Sequence, residues 1–181
     1  DAEGFRWALV GEPSELACVN SHRGYRVGRV SFSLPPLGGP EEGQGRLEFS
    51  GLPAHSSTPH LGRNAIEEAL AELARLGSPP LRGFTGGRVR NQVPDLCVAE
   101  TRRPGFDPRP MIAFHRAWRR FLDRLVPHQT PASLNLATIE NGEATFTFDM
   151  RLASGADAQA AIGELSEAFA VEILQDAPPL A

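Results

Sequence analysis

The sequence contains no lysine: all 18 of its basic residues are arginine. A phosphate-binding loop of the Walker type needs a lysine after its glycines, so the short run GFTGG at residues 83–87 does not form one. The formal net charge is −4, which argues against non-specific binding to nucleic acid, because that binding depends on neutralising phosphate charge. With 41% hydrophobic and 22% charged residues, the chain has the composition of an ordinary globular domain.

Cysteine is also scarce, and long hydrophobic runs are missing. Cys18 and Cys97 lie far apart, and neither belongs to a C-x-x-C pair, which excludes a zinc ribbon and a thioredoxin-type motif. No run approaches the roughly 18 apolar residues of a membrane span, and no basic-then-apolar leader opens the chain. We therefore expect a reduced, cytoplasmic protein without a membrane partner, although one disulfide remains possible. The chain opens on a strand pattern without an initiating Met, so we expect a piece of a larger protein.

Three stretches carry the apolar spacing of amphipathic helices. Asn64, with Glu67 three residues later, forms a capping box that predicts the start of the first helix, and Gly77 predicts its left-handed end. The second helix is expected at Pro110–Val126, where the proline occupies a favoured first-turn position. Asp157 is expected to cap the third helix.

Most of the remaining segments alternate as strands do. Arg26–Leu34 alternates with a phase slip near Gly28 that predicts a bulge, and we expect it to pair antiparallel with Arg46–Leu52. Asn141-Gly142 is a two-residue hairpin turn. The order of elements predicts an α+β fold, in which an antiparallel sheet carries helices on one face in a ferredoxin-like arrangement with an inserted helix and hairpin.

One short polar segment holds the first candidate for chemistry. GLPAHSSTPHLGRNAI, residues Gly51 to Ile66, places His55 among small and hydroxyl residues just before a helix. His55 is either a surface-turn histidine or a ring that donates to a developing oxyanion or binds a metal, with the neighbouring serines available to fix its tautomer. His60 does not have the i, i+4 spacing of a helical metal pair. The residues alone leave both interpretations open.

Three other segments place polar residues at strand junctions. Glu12, in VGEPSEL, follows a strand and precedes a proline, which suits either a metal ligand or an ordinary polar turn. Asn91, in NQVPD, either presents its amide to a ligand or makes an Asx turn. Arg151, at the end of an alternating strand, either clamps a carboxylate through two hydrogen bonds or is solvated or salt-bridged.

Taken in order, these segments resemble metallopeptidase family M-twenty, the group of aminoacylases, acetylornithine deacetylases, succinyl-diaminopimelate desuccinylases and G-type carboxypeptidases. The resemblance rests on VGEPS, then G-x-x-A-H-S-S-x-P-x-x-G-x-N-A-I leading into a helix, then GG and N-x-V-P-D. It covers nearly the whole chain and implies the lid, or dimerisation, domain of such a protein. Residues 1–24 would be a remnant of a catalytic-domain strand with the entry linker, residues 25–174 the lid, and residues 175–181 the return linker.

The resemblance also implies roles for single residues. Glu12 matches a ligand of one of two zinc ions, and His55 matches a lid histidine that crosses the dimer to polarise the scissile carbonyl or hold the oxyanion. Asn91 matches a lid residue near the substrate, and Arg151 matches the arginine that binds the substrate carboxylate, with Arg102 as a rival for that role.

The implied parent is a zinc-dependent hydrolase of N-acyl amino acids or small peptides. It would be a homodimer through the lid, with the zinc centre in a catalytic domain that this chain lacks. The chain by itself is therefore expected to bind no zinc and to be inactive. The alternative is a homodimerising or small-molecule-binding regulatory module without catalysis, which would leave the A-H-S-S and N-x-V-P-D residues unexplained.

Overall fold

The computed structural model describes residues 23–41, 45–125, 131–152 and 158–178, where the chain forms an antiparallel sheet and three α-helices. This confirms the predicted α+β class. The strands are β1 Gly24–Ser33, β2 Pro36–Leu37, β3 Gly45–Ser50, β4 Leu81–Gly86, β5 Leu96–Thr101, β6 Gly105–Phe106, β7 Ala132–Glu140, β8 Glu143–Leu152 and β9 Val171–Ala177. The helices are α1 Ala65–Arg75, α2 Arg109–Leu125 and α3 Ala158–Ala168, with a 3₁₀ turn at Pro59–Leu61. Glu12 and Asp157 lie outside the described residues.

The sheet runs in the order β3-β5-β4-β7-β8-β1-β9, and the short β2-β6 ribbon joins at the start of β4. The expected pairing of Arg26–Leu34 with Arg46–Leu52 is wrong: β1 pairs with β8 and β9, and β3 pairs with β5. Alternation shows that a segment is a strand, but it does not show the partner when that partner lies in the other half of the chain. β9 continues to Ala177, past residue 175, where the return linker was expected to begin.

The predicted bulge in β1 is confirmed. The register between β1 and β9 shifts between Val27 and Gly28. Gly28 also lies against the core, because a Cβ at this position would overlap the ring of Phe148. The hairpin turn is confirmed too, since Asn141 and Gly142 have φ angles of 51° and 80°, the left-handed pair of such turns.

The start and end of α1 follow the sequence signals. The Asn64 side chain accepts hydrogen bonds from the backbone N–H groups of Ile66 and Glu67, at 3.0 and 3.3 Å, and Gly77 has a φ of 78°. The Asn64 Nδ2 also donates to the carbonyl oxygen of Leu134, at 2.8 Å. One side chain therefore caps the helix and anchors it to β7.

The core lies between the helices and one face of the sheet. Phe114 of α2 is fully buried, and its ring centroid lies 4.7 Å from that of Phe146, 5.4 Å from Phe169 and 5.9 Å from Phe32. The other face of β8 is polar. Its residues 145, 147, 149 and 151 point away from the helices because successive strand residues alternate between faces. Within the part of the chain described, no helix has the combined length and hydropathy that crossing a membrane requires.

Replacing Phe114 should strongly destabilise the fold. Phe114→Ala removes the ring at the centre of the aromatic cluster and is expected to lower the free energy of unfolding by about 3–5 kcal/mol. Arg120→Ala, on the exposed side of the same helix, is the control and should change it by less than about 0.5 kcal/mol. Urea unfolding followed by circular dichroism measures both. Equal effects would contradict this description of the core.

The thiol of Cys97 should be inert in the folded protein. Cys97 is a buried free cysteine, and burial raises the pKa of its thiol to about 12. Since the thiolate is the reactive form, the folded chain should not react with a thiol reagent at about pH 8. The measurement uses Cys18→Ser, in which Cys97 is the only cysteine left. One thiol per chain should react after denaturation. Rapid reaction of the folded variant would show that Cys97 is accessible to the reagent and would contradict its burial.

Candidate functional site

His55 and Asn91, predicted from separate motifs, lie side by side. The backbone N–H of Ser56 donates to the carbonyl oxygen of Asn91 at 3.0 Å, and that of Val93 donates to Ala54 at 2.9 Å. The segment containing the histidine thus runs as a short antiparallel bridge beside the N-x-V-P-D segment. The structure therefore brings together two of the residues that the sequence motifs single out.

The His55 ring is exposed and held from one side by Ser57. The backbone N–H of Ser57 donates to His55 Nδ1 at 3.1 Å, and the Ser57 hydroxyl lies 2.7 Å from the same nitrogen. Because a backbone N–H can only donate, Nδ1 acts as the acceptor, and the neutral ring carries its proton on Nε2. One of the two expected serines therefore fixes the tautomer, and the ring is left with an Nε2–H donor.

The other serine contacts a carboxylate that the sequence analysis did not single out. Ser56 and Asp149 are both 0% exposed, and the Ser56 hydroxyl donates to Asp149 Oδ2 at 2.5 Å. Asn135 Nδ2 donates to Asp149 Oδ1 at 2.9 Å and also to the carbonyl oxygen of Arg90. Asn135 is the extra residue of a bulge in β7, between Leu134 and Leu136, and such a bulge redirects a side chain.

Burial raises the pKa of Asp149, and hydrogen bonds from Ser56 and Asn135 oppose that rise, as do the charges of Arg151 and His55. A carboxylate in an alternating strand is expected to face solvent, so the sequence pattern gave no reason to select it. The available signal was its position two residues before Arg151, which places both side chains on one face of β8.

Arg151 lies beside Asp149 and against an aromatic ring. Its Nη2 is 3.6 Å from Asp149 Oδ2, and its Cζ is 4.1 Å from the centroid of Tyr25, its direct cross-strand neighbour. Arg151 Nε is buried without a hydrogen-bond partner in the described part of the chain. Burial and the charge of Asp149 raise the pKa of Tyr25.

The rival arginine is elsewhere. Arg102 follows the last residue of β5 and forms an ion pair with Glu41. Asn91 precedes the first residue of that strand, Leu96, so the six residues of β5 separate the two by at least about 15 Å. Arg151, by contrast, lies beside Asp149, which accepts the hydrogen bond of Ser56.

Two clefts lie near this cluster. One, of about 500 Å³, is lined by Arg29, Arg90 and Thr147 on the polar face of the sheet, next to the strand position of Asp149. The other, of about 1140 Å³, lies beside α1 and α2, and Glu67 and His115 contribute to its lining. None of His55, Asn91 and Arg151 lines either cleft, although Ser57, which contacts the His55 ring, lines the larger one. We place the candidate site on the polar face because Asp149 and Arg151 alternate with the core-facing residues of β8.

The described residues do not fit a metal centre: nowhere among them do three His, Cys, Asp or Glu side chains lie close enough to hold an ion. Glu12, the ligand that the resemblance implies, lies outside the described residues. The arrangement around Asp149 can therefore bind and orient an anionic or carbonyl-bearing ligand through the donors of His55 and Arg151.

Ionisation of Asp149 should destabilise the folded state. Because its pKa is raised on folding, the folded chain keeps the proton at pH values where the unfolded chain has lost it, so the contribution of Asp149 to the free energy of unfolding falls as the pH rises above about 4, the ordinary pKa of an aspartate. Asp149→Asn cannot ionise, so its stability relative to wild type should rise over this range. Urea midpoints across pH measure the trend, with Asp123→Asn on the exposed face of α2 as the control. A difference that does not vary with pH would contradict the raised pKa.

Comparison with known proteins gives a consistent result. A family described as peptidase dimerisation domain matches residues 43–177. The chain is similar to a probable carboxypeptidase of Arthroderma gypseum, with 34% identity over 113 residues that cover 51% of this chain and 21% of that protein. It is also similar to a probable carboxypeptidase of Arthroderma otae, with 40% identity over 76 residues that cover 40% of this chain and 13% of that protein.

The fold has a counterpart among solved structures. The crystal structure of aminoacylhistidine dipeptidase from Vibrio alginolyticus matches 88% of this chain and 45% of that one, with a TM-score of 0.60 and 14% identity. At that identity the likeness shows the fold alone. The chain spans less than half the length of each of these three proteins. The match over residues 43–177, together with the shared fold, shows that the chain belongs to the peptidase dimerisation domain family. This family comprises the lid domains of the M-twenty peptidases, which the motifs of the chain resemble.

Proposed function

We propose that this chain is the homodimerising lid of a metal-dependent peptidase or amidohydrolase, and that it donates His55 in trans to the active site of the partner subunit. The observation that carries the proposal is the convergence of His55, Asn91 and Arg151, which come from three separate segments, around the buried carboxylate of Asp149. A purely dimer-forming scaffold would not need an exposed histidine with a defined tautomer in a segment that is hydrogen-bonded to the carboxylate with which Arg151 is paired.

The proposed roles follow from the donors available. The Nε2–H of His55 can donate to the oxygen of a scissile carbonyl as negative charge develops there, which is the contribution of an oxyanion-hole donor. Arg151 offers a partly exposed guanidinium group that packs on the Tyr25 ring, and a guanidinium group binds a carboxylate through paired donors. The exposed Asn91 lies beside the His55 segment.

These donors favour a substrate with an amide carbonyl close to a free carboxylate, such as an N-acyl amino acid or a small peptide. The relatives' names, carboxypeptidase and dipeptidase, fit a substrate of that kind. We propose further that two zinc ions belong to a catalytic domain, with Glu12 among their ligands. The contribution of His55, Asn91 and Arg151 is separate from that centre, because these side chains bind and orient the substrate. The buried free thiol of Cys97 supports a reducing, cytoplasmic location.

A mixing experiment on the full-length protein tests donation in trans. Glu12→Ala and His55→Ala should each lower kcat for N-acyl amino acids, the histidine variant by about a hundredfold to a thousandfold. When the two inactive variants are mixed and allowed to exchange subunits, half of the dimers are mixed, and each of these has one complete site. About a quarter of the wild-type rate should therefore return.

The control and the contrary outcomes separate the parts of the proposal. His60→Ala, an exposed histidine on the following turn, should leave kcat unchanged. If His55→Ala turns over at the wild-type rate, His55 is a surface-turn histidine and the regulatory or scaffold interpretation returns. If both variants are inactive but mixing restores nothing while light scattering shows dimers, His55 acts within its own subunit.

A further inference from the structure

Asp149 is unusual because its carboxylate is completely buried on the polar face of the sheet. Of its strand neighbours on that face, Thr147 is buried at 5% exposed and Arg151 is partly exposed, whereas Asp149 is 0% exposed. The segment that contains Ser56 covers it. Burying a carboxylate is costly unless hydrogen bonds and an opposite charge compensate. The groups that donate hydrogen bonds to the Asp149 carboxylate therefore indicate which segments it holds in place.

Both carboxylate oxygens are used, and each leads to a different part of the candidate site. Oδ2 accepts from the Ser56 hydroxyl at 2.5 Å, and Ser56 is the residue after His55. Oδ1 accepts from Asn135, whose Nδ2 also binds the carbonyl oxygen of Arg90, the residue before Asn91. Asp149 thus connects the histidine segment and the asparagine segment through side-chain hydrogen bonds.

Asp149 contacts Arg151 through charge attraction and not through a hydrogen bond. The 3.6 Å between Asp149 Oδ2 and Arg151 Nη2 is longer than a hydrogen bond, while Arg151 Nε has no partner among the described residues. The guanidinium is held by charge attraction and by the Tyr25 ring. Asp149 therefore attracts Arg151 by charge without accepting a hydrogen bond from its Nη2.

We infer that Asp149 is a positioning residue that holds the His55 segment, through Ser56, in a fixed relation to Arg151. This inference rests on the proposed function, since it assigns Asp149 a task only if His55 and Arg151 act on the same substrate. Replacing Ser56 or Asp149 should lower turnover, because both hold the His55 segment. Replacing Asp149 should also lower substrate affinity, because Asp149 orients Arg151.

The first test measures kcat and KM in the full-length protein. Ser56→Ala should lower kcat by about tenfold with KM within about twofold, because the histidine segment loses its anchor while Arg151 stays in place. The matched control is Ser133→Ala. Ser133 is equally buried and lies directly across from Asp149 on β7, but its hydroxyl bonds the Leu134 carbonyl instead. It should leave both constants unchanged, and a loss of kcat equal to that of Ser56→Ala would overturn the inference.

The second test combines substitutions. Asp149→Ala should lower kcat and raise KM, and adding Ser56→Ala to it should lower kcat no further, because each change removes the same Ser56–Asp149 hydrogen bond. Likewise, Ser56→Ala should lower kcat no further when His55 is already replaced by alanine. Independent, multiplicative losses in either combination would show that Ser56 does not act on His55 through Asp149.

A measurement without catalysis completes the test. Hydrogen–deuterium exchange followed by mass spectrometry should show at least about tenfold faster exchange in the peptide spanning residues 52–61 for Ser56→Ala and Asp149→Ala, with peptides of α2 unchanged. Faster exchange throughout the protein, with kcat per folded molecule unchanged, would make Asp149 a purely structural residue.

If His55→Ala itself keeps full turnover, the proposed function fails. If only His55→Ala loses turnover, the proposed function stands and this inference alone fails.

Discussion

The strict alternation of β8 is the constraint on which the rest of the structure depends. Its apolar residues, Phe146 and Phe148 among them, face the helices and form the centre of the core. The residues between them, Asp149 and Arg151 included, must then face the other way. A one-residue shift in register would exchange these two sets, so the packing of the aromatic cluster and the position of the candidate site are determined by the same pairing of β8 with β1 and β7.

The site combines the regular strand β8, which contains Asp149 and Arg151, with two irregular segments that are distant from it in sequence. The His55 segment lies on a loop, and its position depends on backbone bonds to the Asn91 segment and on Asn64, which links the start of α1 to β7. This arrangement gives a loop histidine the rigidity usually supplied by a strand or helix. It is consistent with a domain that must present a preorganised donor to a surface it does not itself contain.

The features that could be predicted from the sequence are those with local causes. Asn64 as a helix cap, Gly77 as a helix end and the Asn141-Gly142 turn depend on neighbouring residues, and all three are confirmed. The partners of β1 could not be predicted, because strand pairing between the two halves of the chain leaves no local pattern. Asp149 was missed for a related reason, since its burial results from coverage by the Ser56 segment and alternation alone suggests a solvated side chain.

Gly28 closely approaches the Phe148 ring. The position of Asp149, the next residue along β8, therefore depends on how the core packs at this glycine. Any side chain introduced at position 28 must displace that ring, and Phe148 is bonded directly to Asp149 along the strand. A displacement of the backbone there would rotate the carboxylate away from Ser56. A substitution at this glycine should therefore disturb the proposed site from the opposite side of the sheet, and homologous domains with a larger residue there should carry a smaller residue at position 148.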